Sequence, residues 1–351
     1  MSNIVITLAL GVGCAVLVAW GVTVLPGERW QIIAAAPVEK GEGGIWRGVN
    51  FTWYGALSAT AYLVAATVFL ALMGAVGIPV FQSATLTGGM LLVCVPASRV
   101  IALLVEKKAH TFTVGGAAFA GLLLLYPLIF VLNTTISPAT GVSIPFVPAL
   151  AALAVAYAFG EGIGRLACIS FGCCYGKPLY HCAPIIRRLF GYRTFVFHGA
   201  TRKAVYAGNL EGIPLLPIQA VTSVIYLITG LTGFYLFLTL RFAGAALITL
   251  TITQGWRVVS EQFRADYRGE GTFSAYQIMG GIGVAGAALM VAVTPATVGL
   301  TSDIAAGLSS LWTPVLLLAL QGLWLIIFLY TGRSSVTGAY LSFHVHADGT
   351  G

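Results

Sequence analysis

Glu161 and Arg165 stand four residues apart in an otherwise apolar run, and Cys168, Cys173 and Cys174 follow before the basic Lys177. An ionised side chain inside a membrane span costs roughly 3 kcal/mol on insertion scales, so it usually faces a partner or a wet cavity and is a functional candidate by default. At this spacing the two charges share one helix face. The pair has two readings: a polar site built into a bundle, or a carboxylate that steadies its own helix partner. Gly160, Gly164, Cys168 and Gly172 recur at every fourth residue and form a smooth stripe on which a second helix or a lipid chain can lie closely.

Arg257, Glu261, Arg264 and Arg268 form a second charged set, spaced by four, three and four residues. On one helix this is a single ionic stripe. It reads either as a solvated interfacial helix end or as a glutamate holding an arginine fork for a phosphate, since guanidinium pairs bidentately with phosphate oxygens. Ser274 and Gln277 follow and can add neutral hydrogen bonds. Cys168, Cys173, Cys174 and Cys182, with His181, are close in sequence but lack the C-x2-C pairing of zinc sites, so no metal is assigned. Packing is the favoured reading, or a disulfide between Cys182 and Cys173 or Cys174 if this segment lies outside the cytoplasm. A covalent lipid intermediate at Cys173 would require a thiol pKa depressed by nearby Arg or Lys. Cys14 and Cys94 read as small apolar residues within spans.

The elements that must position these groups follow from composition. The 351 residues are 58% hydrophobic and 8% charged, with a mean hydropathy of +0.93. Such a chain cannot present a soluble surface, and apolar runs of about 20 residues are long enough to cross a bilayer. Spans are expected near 3–25, 54–76, 82–104, 113–133, 145–171, 217–240, 243–260, 274–294 and 311–331. The fold class is therefore all-α: a polytopic integral membrane bundle of eight or nine transmembrane helices. The 243–260 segment is the doubtful one and reads as partly re-entrant, because it ends in charged residues. The runs are too long and uniformly apolar for barrel strands. The first segment lacks a basic start and is longer than a signal core, so it reads as a retained anchor.

One membrane domain, 1–351, accounts for the pattern. An additional span and loop occupy 1–50, a core fills 51–293 with an extramembrane excursion near 175–217, and a late span and tail occupy 294–351. Basic residues crowd three connections: Lys107 and Lys108; Lys177, Arg187, Arg188, Arg193, Arg202 and Lys203; and Arg257, Arg264 and Arg268. With nine alternating spans all three fall on one side, which the positive-inside rule makes cytoplasmic. Cations that bind lipid phosphates would produce the same clustering. The net charge of +7 fits an acidic membrane surface or an anionic phospholipid. No recognition motif accompanies the basic residues, which argues against nucleic acid as a partner. His344 and His346 in the tail read as part of an unstructured end.

Together with Trp53-Tyr54-Gly55 at the head of a span, these segments give the chain a pattern that resembles the prolipoprotein diacylglyceryl transferase family, from about Phe51 to Val293. Trp53-Tyr54-Gly55 is similar to the family's early tyrosine motif, Ala97-Ser98-Arg99 to its arginine-bearing helix end, and Gly115-Gly116 to its paired glycines. The family signature falls on Arg165, Gly172, Gly176 and Lys177, with Cys173 within it. The arginine, glutamate and arginine stripe falls on Arg257, Glu261 and Arg264, followed by Ser274 and Gln277. The family histidine falls on Val114, with His110 four residues earlier reading as interfacial. The signature asparagine and glutamate fall on Cys168 and Cys173, and Leu216-Pro217-Ile218-Gln219 keeps part of a histidine, proline and glutamine motif.

The resemblance implies transfer of diacylglyceryl from phosphatidylglycerol to the lipobox cysteine of a lipoprotein precursor, without a cofactor, in a bacterial inner membrane. Displacing glycerol phosphate requires its charge to be neutralised, which suits Arg165 and Arg257. It also requires deprotonation of the acceptor, for which Glu161 or Glu261 is available, with Tyr54 orienting phosphate or glycerol oxygens. Arg99, Gly115, Gly116, Gly172, Cys173, Gly176, Lys177, Arg264, Ser274 and Gln277 would line the substrate. In the family these segments face the extracytoplasmic side, opposite to the charge count, and that orientation is adopted with the amino terminus inside. A noncatalytic lipid-binding or assembly role on the same scaffold is the alternative. A solute transporter is disfavoured by the lack of a clear inverted repeat.

Overall fold

A computed structural model describes residues 3–106, 114–266, 274–295 and 299–343. Lys107, Lys108, His110, Arg268, His344 and His346 lie outside the described residues. The expected long helices all form: α1 (Asn3–Val24), α2 (Trp53–Ala75), α3 (Val80–Glu106), α4 (Val114–Thr135), then the short α5 (Ser137–Thr140), followed by α6 (Phe146–Phe171). The excursion carries α7 (Pro184–Phe190) and α8 (Lys203–Tyr206). It leads into α9 (Ile218–Leu238), α10 (Phe242–Glu261), α11 (Ala275–Val293), the short α12 (Ile304–Ser309) and α13 (Pro314–Thr331). Eight of these, α1, α2, α3, α4, α6, α9, α11 and α13, are long and apolar enough to span a membrane.

The ninth long helix, α10, carries Thr249, Thr251, Thr253, Gln254, Arg257 and Glu261, which lower its hydropathy without interrupting it. The doubtful 243–260 segment forms a helix without interruption. Helix α10 is continuous over 20 residues and packs on α9, α6 and α11, with Thr249, Thr253 and Gln254 buried.

Helix α6 is the hub, packed against α2, α9 and α10. Lipid tails are as apolar as leucine, so helices here associate through close packing and polar contacts rather than through water exclusion. The stripe of small residues does this work. A Cβ on Gly160 would press on Ala65, and one on Gly162 would sit 2.8 Å from Leu227. The partner of the Gly160–Gly164 stripe is thus α2, a second helix. Helices α1 and α13 instead turn outward, with Val12 and Val315 exposed as expected of lipid-facing positions.

A small sheet departs from the purely helical expectation. Strands β1 (Ile32–Lys40), β2 (Ile45–Thr52) and β3 (Arg333–Ser342) form one antiparallel sheet in that order. The turn between β1 and β2 uses the left-handed Gly43 and Gly44. The 1–50 loop and the start of the tail are therefore ordered against each other, which corrects the reading of the tail over 333–342. Backbone bonds tie this sheet to the head of α2: Thr52 N–H donates to Gly332 O, and Trp53 N–H to Gln31 O. Trp20, Trp30 and Trp53 cluster beneath it, with ring centroids 4.8–6.5 Å apart.

The excursion is pinned to the same end of the bundle by Arg202, which is fully buried. Its guanidinium donates to Gly27 O at 2.6 Å and to Ser170 O. Burial pulls this group down to about 10, partly offset by Glu28, so it is charged near neutral pH when it donates to these carbonyls.

Candidate functional site

The chemistry-bearing residues converge at this end, around the last turns of α6, the head of α2, the head of α4 and the α10–α11 connection. Tyr54 lies in the first turn of α2, whose N-cap Thr52 accepts from Gly55 N–H at 3.4 Å. Its ring meets Phe171 at the end of α6, with centroids 5.4 Å apart. Helix α6 stops at Gly172, whose left-handed backbone (φ +68°) lets the chain reverse and return N–H bonds to the last turn.

Glu161 and Arg165 form the i,i+4 ion pair expected of them, and both are largely buried, at 6% and 12% side-chain exposure. Arg165 Nε is also buried, with no hydrogen-bond partner among the described residues. One turn earlier on the same face, the Tyr157 hydroxyl accepts from Arg257 of α10 at 3.3 Å. The Tyr157 ring packs on Tyr226, whose hydroxyl donates to Thr253 O at 2.8 Å. Sequence reading missed Tyr157, although its position four residues before Glu161 was an available signal.

Gly115, at the head of α4, is where the paired glycines meet this group. A Cβ there would lie 3.0 Å from the Tyr276 ring and 3.2 Å from the Arg257 guanidinium carbon. Any side chain there would push these two groups back by a few tenths of an ångström, and Gly116 beside it is buried. Val114 is exposed at the same helix head and offers no proton-transfer group. Arg99 is exposed in the last third of α3, and Lys177 is exposed in the excursion.

The ionic stripe from Arg257 to Arg268 is corrected. Helix α10 ends at Glu261, and Arg264 instead pairs with Gly176 in an extended bridge. Lys177 N–H donates to Phe263 O and Ala265 N–H to Tyr175 O. The excursion thus satisfies backbone groups that a continuing helix would have used itself. Gly176 lets Leu216 lie against this same segment, because a Cβ there would overlap the Leu216 carbonyl. The arginine fork is held by Asp266 rather than by Glu261: Arg264 donates twice to its carboxylate, both at 2.7 Å. Burial works against the Arg264 charge, but Cys174 and Asp266 more than compensate and raise its pKa.

Glu261 accepts instead from the Ser274 hydroxyl at 2.5 Å. Ser274 and Gln277 form a reciprocal capping box at the head of α11, and Gln277 also donates to Val258 O at 3.1 Å. Both residues join the α10–α11 connection as structural partners.

None of the six cysteines is in a disulfide. The Cys182 thiol donates to Pro178 O, and the alternative disulfide with Cys173 or Cys174 is not formed. The group that does close is Cys168, Cys173 and Cys174, with all three sulfurs within 4.8 Å of one another. Hydrogen bonds from Cys168 and Cys174, then burial, hold the Cys173 thiol well above its ordinary range. That direction is opposite to the one a nucleophilic lipid carrier needs. Gln219, at the start of α9, fixes the loop by donating to Cys173 O at 2.9 Å.

The chain is thus a polytopic helical membrane protein with a polar site built into one end of its bundle. No protein-family model matches it, and no curated protein sequence matches it significantly.

Proposed function

We propose that this protein is a phospholipid-dependent transferase of a bacterial inner membrane, moving diacylglyceryl from phosphatidylglycerol to the lipobox cysteine of a prolipoprotein or a related acceptor. The observation that carries this reading is that Arg165 and Arg257 both lie close enough to the buried Tyr226 to act on it, Arg165 keeping a buried Nε with no hydrogen-bond partner among the described residues. Two guanidinium groups in a low-dielectric site suit a phosphodiester whose leaving oxygen gains charge. The acceptor sulfur forms a bond to the glyceryl carbon, the C–O bond to phosphate breaks, and glycerol phosphate leaves with the electron pair. The thiol proton goes to Glu261, whose carboxylate accepts from the Ser274 hydroxyl and is in no ion pair among the described residues. Tyr54 orients the glyceryl or phosphate oxygens, and the exposed Lys177 and Arg99 draw anionic headgroups toward the site.

Val114 favours a second reading, a lipid-binding protein that performs no transfer, because the family histidine has no counterpart at that position. Purified protein is incubated with phosphatidylglycerol vesicles and a synthetic lipobox peptide, and the peptide is examined by mass spectrometry. A diacylglyceryl thioether that Arg165→Ala abolishes supports the transferase. Its absence beside an active family member, with phosphatidylglycerol still bound, supports the binding role.

A further inference from the structure

We infer that Cys168, Cys173 and Cys174 form a binding site for one thiophilic closed-shell metal ion, of which zinc is the probe ion. The three thiolates come from a seven-residue stretch, Cys168 to Cys174, that no C-x2-C pattern marks, and the turn after α6 assembles them. Cys168 sits in the last turn of the helix. The left-handed Gly172 reverses the chain, Cys173 N–H returns to Cys168 O at 3.1 Å, and Cys174 takes a left-handed backbone of its own (φ +53°). A non-glycine residue in that region costs roughly 1–3 kcal/mol and persists where the surroundings over-determine it, often at a functional site. Here the surroundings are explicit: Gln219 clamps Cys173 O, and the Gly176–Arg264 bridge fixes the chain just beyond Cys174.

The sulfur geometry fits. Two thiolates at about 2.3 Å from a tetrahedral zinc stand about 3.8 Å apart. Cys168 and Cys174 Sγ are 3.8 Å apart, and all three sulfurs lie within 4.8 Å, so small side-chain rotations close the set. Three protein ligands leave the fourth position open, as in catalytic rather than structural zinc sites.

The electrostatics also fit. Three thiolates around a divalent ion carry one net negative charge, which needs neighbouring cations to be stable in a low-dielectric site. Arg264 is close enough to feel the charge of Cys174 and Cys168, and Arg165 acts on Cys168. The Tyr54 side chain is likewise close enough to interact with all three cysteines. S–H groups are weak hydrogen-bond donors, and metal coordination of the buried Cys173 and the partly buried Cys168 and Cys174 releases their protons.

The test uses the full-length protein in detergent. After zinc loading and dialysis, elemental analysis is expected to find about one zinc per chain, falling at least tenfold in Cys168→Ser and in Cys173→Ser but not in Cys182→Ser. Because a serine variant can misfold, the unmodified protein is also titrated with cobalt(II), where thiolate-to-cobalt charge-transfer absorption is expected. Zinc should also protect Cys168, Cys173 and Cys174 from maleimide. Zinc that survives loss of all three cysteines, absence of the charge-transfer band, or a Cys168–Cys174 disulfide in the protein as isolated overturns the site. None of these readouts requires turnover, so zinc without product sinks only the transferase, and product without zinc sinks only the metal site.

Discussion

The Glu161–Arg165 pair separates a structural role from a functional one. Both side chains are largely withdrawn from solvent, so Glu161→Gln leaves a buried guanidinium without its counter-charge. Breaking a buried pair from one side costs about 3–5 kcal/mol, whereas replacing both partners with apolar residues of similar size is neutral or even stabilising by about 1–4 kcal/mol. Glu161→Gln should therefore unfold at markedly lower temperature or detergent denaturant, while Glu161→Leu combined with Arg165→Met should match or exceed the parent. Phospholipid binding should follow the opposite order. If Arg165 meets a phosphate, losing that charge-assisted bond costs about 1.5–3 kcal/mol, or roughly 10- to 150-fold in affinity. Glu161→Gln, which frees the guanidinium, should keep its affinity wherever it stays folded. Thermal unfolding in detergent and phosphatidylglycerol binding to the same preparations give both numbers. A stable double variant that binds phosphatidylglycerol as well as the parent refutes a phosphate role for Arg165 and leaves the pair purely structural.

Gly176→Ala forces a Cβ into the Leu216 carbonyl, and overpacking of this kind costs about 1–3 kcal/mol. Limited proteolysis should show the 175–217 segment cleaved faster, with the span helices intact. Arg202→Met removes the charged donor from the Gly27 and Ser170 carbonyls. At about 1.5–3 kcal/mol for a bond to a charged group, a loss of about 3 kcal/mol or more is expected in chemical unfolding. Arg202→Lys should recover only part of it, because an ammonium cannot span the carbonyls that the guanidinium fork reaches.

The span helices were legible because each is an uninterrupted apolar run, and the expected ends near 54, 145, 217 and 274 fall within a residue or two of those observed. Helix α10 was harder, since its threonines and charges resemble an interruption until α6, α9 and α11 cover Thr249, Thr253 and Gln254. The sheet was not legible: β2 pairs with β3 nearly three hundred residues later, and neither run announces its partner. The stop of α10 at Glu261 was equally hidden, because the spacing of Arg257, Glu261 and Arg264 is helical, but the backbone at 263–265 bonds to the excursion instead.

What this sequence determines by itself is its solvent and its scaffold: hydrophobicity in runs of span length excludes water, forces helices, and makes any charge such as Glu161 or Arg165 seek a partner inside the bundle. Whether that partner would be close at hand was local enough to read at spacing four. The site as a whole was not local. The meeting of Arg257 with Tyr157, the transfer of the arginine fork to Asp266, and the gathering of Cys168, Cys173 and Cys174 depend on how α6, α9, α10 and the excursion pack. Distance between side chains of different helices is set by small residues at the contacts and by left-handed turns such as Gly172 and Cys174, and only the folded chain fixes these together.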